Sequence, residues 1–150
     1  MKSEEIANPI TGERIVFLRT ATATSGELLE LDDFWSRSDH RVLEHVHPGM
    51  EEVWQVVAGL VRFRIDGVER TAAPGDVVIA PAGVRHMGWN IGDAPAHLRI
   101  QMRPALRWEE FVRRLFTAAR DGRTDEHGIP QPALLAELLG EFRREIAPAG

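Results

Sequence analysis

The chain has 150 residues, 43% of them hydrophobic, which is enough for one sizeable core and suits a single domain. A formal net charge of -5 argues against nucleic acid as the main partner, because such partners demand a dense basic face. With no cysteine there is neither a disulfide framework nor a thiolate nucleophile.

Read in chain order, Arg14 to Arg19, Glu27 to Phe34 and Arg41 to His47 are predicted strands, followed by Val53 to Ala58, Val61 to Ile65 and Val77 to Ala80. Turn signals at Pro48-Gly49, Asp66-Gly67, Pro74-Gly75 and Gly92-Asp93 separate them at short, regular intervals, as in an all-β sandwich or barrel. His97 to Met102 closes the β part. From Pro104 the period changes: Trp108, Phe111, Leu115 and Phe116, then Leu135, Leu138 and Phe142, recur at helical spacing. Two amphipathic helices are expected, with Pro132 in the first turn of the second. The predicted organisation is one domain, a barrel over about 10–103 with a helical extension over about 104–147. Glu4 and Glu5 stand where a signal peptide would be apolar and no segment is long enough to span a bilayer, so no membrane partner and a cytoplasmic location are expected.

The chemistry concentrates in two stretches. In Glu44-His45-Val46-His47-Pro48-Gly49, residues two apart on a strand share a face, so His45 and His47 present two imidazoles to one side. Pro48-Gly49 then reverses the chain, and the carboxylate of Glu52 returns beside them. In Gly75 to Asn90 a buried-looking strand runs into a Pro-x-Gly turn and delivers His86. Three imidazoles and one carboxylate suit a first-row divalent ion with open coordination positions. Iron, manganese, nickel, copper and zinc all satisfy that donor set. Asp125 with His127, in the link between the helices, is too sparse a pair for a second metal site.

These stretches resemble the two motifs of the cupin superfamily. His45, His47, Glu52 and Gly59 match the first, and Gly75, Pro81, Gly83, His86 and Asn90 match the second. One position departs: Asp39 stands where a glycine often precedes the first histidine. Within the motif the distance to Gly59 selects Glu52 over Glu51, whose side chain alternation sends to the opposite face. Asn8-Pro9-Ile10-Thr11-Gly12-Glu13 and Gly128-Ile129-Pro130 extend the resemblance, to small single-domain cupins, over nearly the whole chain. It implies a double-stranded β-helix, the jelly-roll barrel, here with two C-terminal α-helices packed outside. It also implies His45, His47, Glu52 and His86 as ligands to one divalent metal ion, a small-molecule substrate or ligand, and a homodimer.

Strand phase nominates the surroundings of the metal. Arg41 and Leu43 share the face of His45 and His47, Trp54 and Val56 share that of Glu52, and Gln101 is a candidate if the polar face of the last strand turns inward. For Trp54 a plain core role is the simpler reading. His40 and His97 read as surface or satisfied histidines. The expected function is metal-dependent and enzymatic, of dioxygenase type. The alternatives are a metal-dependent isomerase, lyase or cyclase, or a non-catalytic small-molecule sensor.

Overall fold

The structure is a computed structural model, and it describes residues 3–36 and 43–150. Among those residues the strands are β1 (Glu4–Ala7), β2 (Arg14–Arg19), β3 (Leu29–Trp35), β4 (His45–Val46), β5 (Glu51–Ala58), β6 (Val61–Ile65), β7 (Val68–Ala72), β8 (Val77–Ala80), β9 (His86–Asn90), β10 (Ala96–Arg103) and β11 (Ala147–Pro148). Helices α1 (Trp108–Arg120) and α2 (Pro132–Glu141) lie between β10 and β11. A six-stranded sheet runs β1-β2-β3-β10-β5-β8 and a five-stranded sheet runs β11-β4-β9-β6-β7, with every pairing antiparallel. This is the two-sheet jelly-roll barrel.

Alternation decides what fills the barrel. Leu29 and Leu31 on β3, Trp54 and Val56 on β5, Phe63 on β6 and Leu98, Ile100 and Met102 on β10 all turn inward and are buried. The apolar set of the last strand therefore faces the core, while Arg99 and Gln101 face out. Motif glycines have physical reasons to be glycine. Gly59 has a φ of 97°, and a Cβ there would meet Ala96 Cα at 2.8 Å. Gly88 lies on the inner face of β9, where a Cβ would come within 2.9 Å of the Phe63 ring.

Several boundaries differ from expectation. β1 precedes the expected barrel limit: it opens on two glutamates rather than an apolar run, and it is a strand because Ile6 and its neighbours pair along β2. β7 (Val68–Ala72) is exposed at all but its last residue, so no hydrophobic pattern announced it. β9 was masked by Gly88. Helix α2 stops at Glu141, so Phe142, expected to continue its apolar stripe, lies past its end. Phe142 is nonetheless fully buried, in one hydrophobic cluster with Phe111, Val112, Leu138 and the barrel core. β11 then pairs with β4 at the edge of the five-stranded sheet.

Candidate metal centre

β4 is held beside β9 by the direct pairing of His45 with His86, and His47, two residues on, returns to the same side. The turn after it is tied down twice: Gly49 N donates to Arg144 O at 2.8 Å, and Gly83 N donates to His47 O at 3.0 Å. β5 opens immediately afterwards and places Glu52 in phase with buried Trp54 and Val56. The result gathers His45, His47, Glu52 and His86, each offering one donor atom, with those atoms all within 4.8 Å of one another.

All three imidazoles are anchored the same way. His45 Nδ1 lies 2.6 Å from Leu43 O, His47 Nδ1 2.8 Å from Glu145 O and His86 Nδ1 2.9 Å from Val84 O. A ring that donates its Nδ1–H to a carbonyl keeps its Nε2 lone pair for an electrophile. His47 Nε2 is 2.9 Å from Glu52 Oε1, and His86 Nε2 is 3.4 Å from the same oxygen. Indole edges pack the rings: Trp108 lies 4.8 Å from His47 and Trp54 5.3 Å from His86, both nearly perpendicular.

Electrostatics favour a cation. Burial would raise the Glu52 pKa, but the imidazoles of His47 and His86 outweigh it and hold the carboxyl down to about 2. Burial, with His47 and His86 adjacent, lowers His45 to about 4, so it is neutral at physiological pH. Burial would lower His86 as well, but the Glu52 carboxylate prevails and raises it. His47 and His86 are each only 1% exposed, and His86 Nε2 is buried without a hydrogen bond of its own. An orphaned nitrogen beside an ionised carboxylate fits a bound metal ion better than an empty polar pocket. The group could hold one divalent ion.

The centre opens on one side. His45 forms part of the wall of a cavity of about 270 Å³, with Glu13, Trp35, Leu43 and Glu44 from the barrel and Leu139 from α2. Of the residues nominated around the metal, Leu43 lines this cavity. Trp54 and Val56 are buried in the core below it, Trp54 against Phe63 and His86. Gln101 does not reach it: its amide donates to Glu30 on the outer face at 2.7 Å, because Leu98, Ile100 and Met102 claim the interior. Arg41, His40 and Asp39 lie outside the described residues. His97 sits on Asp32 at 3.1 Å and stacks on Phe34. Asp125 closes a turn by accepting from His127 N and Ile129 N. Glu51 is half-buried on the opposite face of β5 from Glu52. Motif residue Asn90 is structural: its amide donates to Trp35 O and Ala94 O, and its oxygen accepts from Gly92 N.

The sequence reading missed an acid pair, Asp33 buried and Glu13 half-buried at the cavity wall. The carboxyls of Glu13 and Asp33 act on each other's acidity, and the pair favours retention of a proton. Burial raises Asp33 well above the usual carboxylate range and Glu13 adds to it; burial likewise raises Glu13, against the lowering effect of Asp33. Asp33 Oδ2 accepts from the Trp35 indole at 2.9 Å. The signal was present in Leu29-Glu30-Leu31-Asp32-Asp33, where Asp33 is in phase with two inward leucines.

A double-sheet antiparallel barrel with imidazole and carboxylate side chains gathered on its inner wall is a jelly roll that could hold one metal ion. The model of the cupin domain matches residues 38–100, and the two-sheet barrel has the cupin fold. Solved structures agree in fold. An RmlC-like cupin from Shewanella frigidimarina has 20% identity and a TM-score of 0.59, covering 72% of this chain and 89% of that one. KdgF from Halomonas sp. has 17% identity and a TM-score of 0.58, covering 69% and 88%. A predicted oxalate decarboxylase from Thermotoga maritima has 20% identity and a TM-score of 0.57, covering 69% and 93%. No curated protein matches the sequence.

Proposed function

We propose that this cupin is a metal-dependent enzyme whose His45, His47, Glu52 and His86 hold one divalent ion and whose small-molecule substrate enters through the cavity at His45. One observation carries the reading: all three imidazoles spend Nδ1 on backbone carbonyls, leaving their Nε2 positions to the same point as Glu52. A bound ion would supply Lewis acidity and, if redox-active, dioxygen chemistry of the dioxygenase type. The chain's own residues do the rest. Trp54 and Trp108 exclude water from the buried imidazoles, and Glu13 with Asp33 holds a proton at the cavity wall.

That proton supports a second reading, a redox-neutral isomerase, lyase or cyclase, since such reactions move protons between carbon and oxygen. Similar folds carry names of this kind: the structure of a sugar phosphate isomerase from Silicibacter pomeroyi has 22% identity and a TM-score of 0.56, covering 68% of this chain and 71% of that one. A non-catalytic sensor would bind and never transform its ligand. Anaerobic loading with ferrous iron, then exposure to oxygen and a panel of aromatic diols, diketones and hydroxy-acids, separates these. Substrate-dependent oxygen uptake supports the dioxygenase. Turnover with zinc, nickel or manganese and no uptake replaces it with the redox-neutral reading.

The same proposal places one cupin domain in the cytoplasm as a homodimer. No helix of the described residues is long and apolar enough to cross a membrane. Supporting the dimer, edge strand β8 leaves Val77 45% and Ile79 50% exposed, with Val57 on neighbouring β5 43% exposed. A monomer in light scattering at micromolar concentration overturns that part.

A further inference from the structure

His47 is gripped by two chain segments far from it in sequence. Glu145 O accepts from its Nδ1 at 2.8 Å, and the Trp108 indole lies 4.8 Å from its ring, nearly perpendicular. Gly49, two residues on, sits between the same segments: its N donates to Arg144 O at 2.8 Å, and a Cβ there would stand 3.1 Å from both Arg144 O and Leu106 Cδ1. Glu145 joins the two segments to each other. Its side chain reaches across to Arg107, where the carboxyl Oε2 accepts from the backbone N at 3.0 Å. Glu145 is only 5% exposed, so this carboxyl is held away from water and needs a partner within the protein.

Arg107 is the N-cap of α1 and makes no side-chain capping bond to the helix. A glutamate at the third helical position often accepts from the N-cap N–H. Here that residue is Glu110, and the Arg107 guanidinium engages both its carboxyl oxygens at 2.8 Å. Glu145 serves the N–H instead. Trp108 follows directly, so the bond at Arg107 also sets where the indole meets His47. Two bonds therefore leave Glu145 from opposite ends, its carbonyl to the imidazole and its carboxyl to the start of α1, and neither segment can shift without moving a contact of His47. We propose that Glu145 is a positioning residue for the metal centre, its carboxyl tying α1 to the C-terminal segment so that His47 presents Nε2 to the ion. This rests on the proposed function in taking His47 as a ligand. Loss of a direct partner of a ligating imidazole costs roughly 10- to 100-fold in metal affinity, and a side chain acting one bond further back belongs at the lower end.

The test compares Glu145→Met, which removes the acceptor at similar length, with Glu145→Gln, which keeps an oxygen there. Zinc affinity is measured by competitive titration, and the Nδ1–H signals of His47 and His86 are followed by NMR in metal-free protein. Glu145→Met is expected to weaken zinc binding by about tenfold. It should also speed exchange of the His47 Nδ1–H with water while that of His86, bonded to Val84 O, is unchanged. Glu145→Gln should stay within about threefold of the wild type and keep both signals. Undiminished zinc affinity in Glu145→Met overturns the inference. So does equal loss of the His47 and His86 signals, which would mean a general loosening of the fold. Should Glu145→Met fail to fold, Glu145→Asp, one methylene shorter in its reach to Arg107 N, decides by the same readings. Failure of zinc to bind the wild type overturns the metal reading alone, because the His47 signal in metal-free protein still reports whether Glu145 holds the ring.

Discussion

The two halves of the metal cradle are held by different means. His86 stands at the start of β9, a strand bonded along its length to β6, and its position follows from sheet register. His45 and His47 belong to a strand of two residues, whose outer neighbour is the C-terminal β11. That tail holds the second half point by point. Glu145 O accepts from His47 Nδ1, Arg144 O accepts from Gly49 N, and Ala147 pairs with Val46. Register suffices where neighbouring strands are long; where the strand is short, a distant segment must supply the missing bonds. Residues 142–148 are thus part of the site although none of them touches the proposed ion.

The largest expected effect ignores this difference. Replacing either His86 or His47 by Ala removes one of four ligands, and metal retained by purified protein should fall from one ion per chain to a small fraction in both variants. Elemental analysis checks it; unchanged stoichiometry in both would end the metal assignment. The barrel should survive, since the hydrophobic core that holds the two sheets together is untouched.

Next in size is Phe142→Ala. Phe142 is fully buried, packs 5.4 Å from Phe111 and lies beneath the Arg107 guanidinium, and its carbonyl accepts from Glu145 N and Ile146 N as the tail begins. Truncation of such a side chain costs about 3–5 kcal/mol. Urea unfolding should show that loss, with the C-terminal amides and those of β4 losing hydrogen-exchange protection before those of β9. Equal loss on both sides would mean the halves are not separately supported.

Deletion of residues 143–150 sharpens the comparison further. It leaves all four ligands in place but removes the carbonyl that fixes His47, and loss of such a partner typically costs roughly 10- to 100-fold in metal affinity. A competitive zinc titration measures it. Affinity equal to that of the full chain would show that the turn at Pro48-Gly49 orients His47 unaided.

Legibility in the sequence follows the same division. The clustering of His45, His47, Glu52 and His86 was readable because strand alternation and the turns fix their directions locally, and the double-sheet barrel followed from strand length and turn spacing. β7 and β1 were hidden because edge strands face solvent and carry no hydrophobic period. The role of Glu145 was illegible in principle: a backbone carbonyl acts there, and carbonyls have no sequence signature. Leu115, Leu135 and Leu139 did lie on helical apolar stripes, but part of each stripe faces a cavity and not the core, a distinction periodicity does not contain. Glu13 needed the pairing of β2 with β3, which sets it near Asp33.

The smallest expected effect has the opposite sign to the others. The Asp33 pKa is raised in the folded protein above its ordinary value, first by burial and then by Glu13. Folding therefore favours the protonated acid. Its contribution to stability is fully present below the unfolded pKa of about 3.9, and it is lost as pH rises through the folded value. Asp33→Asn keeps an oxygen for the Trp35 indole and has no proton to lose, so it escapes that loss. The variant should match the wild type at acid pH and exceed it in stability at neutral pH. Thermal melts across this range decide it. A constant difference at every pH would mean that Asp33 titrates no differently in the fold.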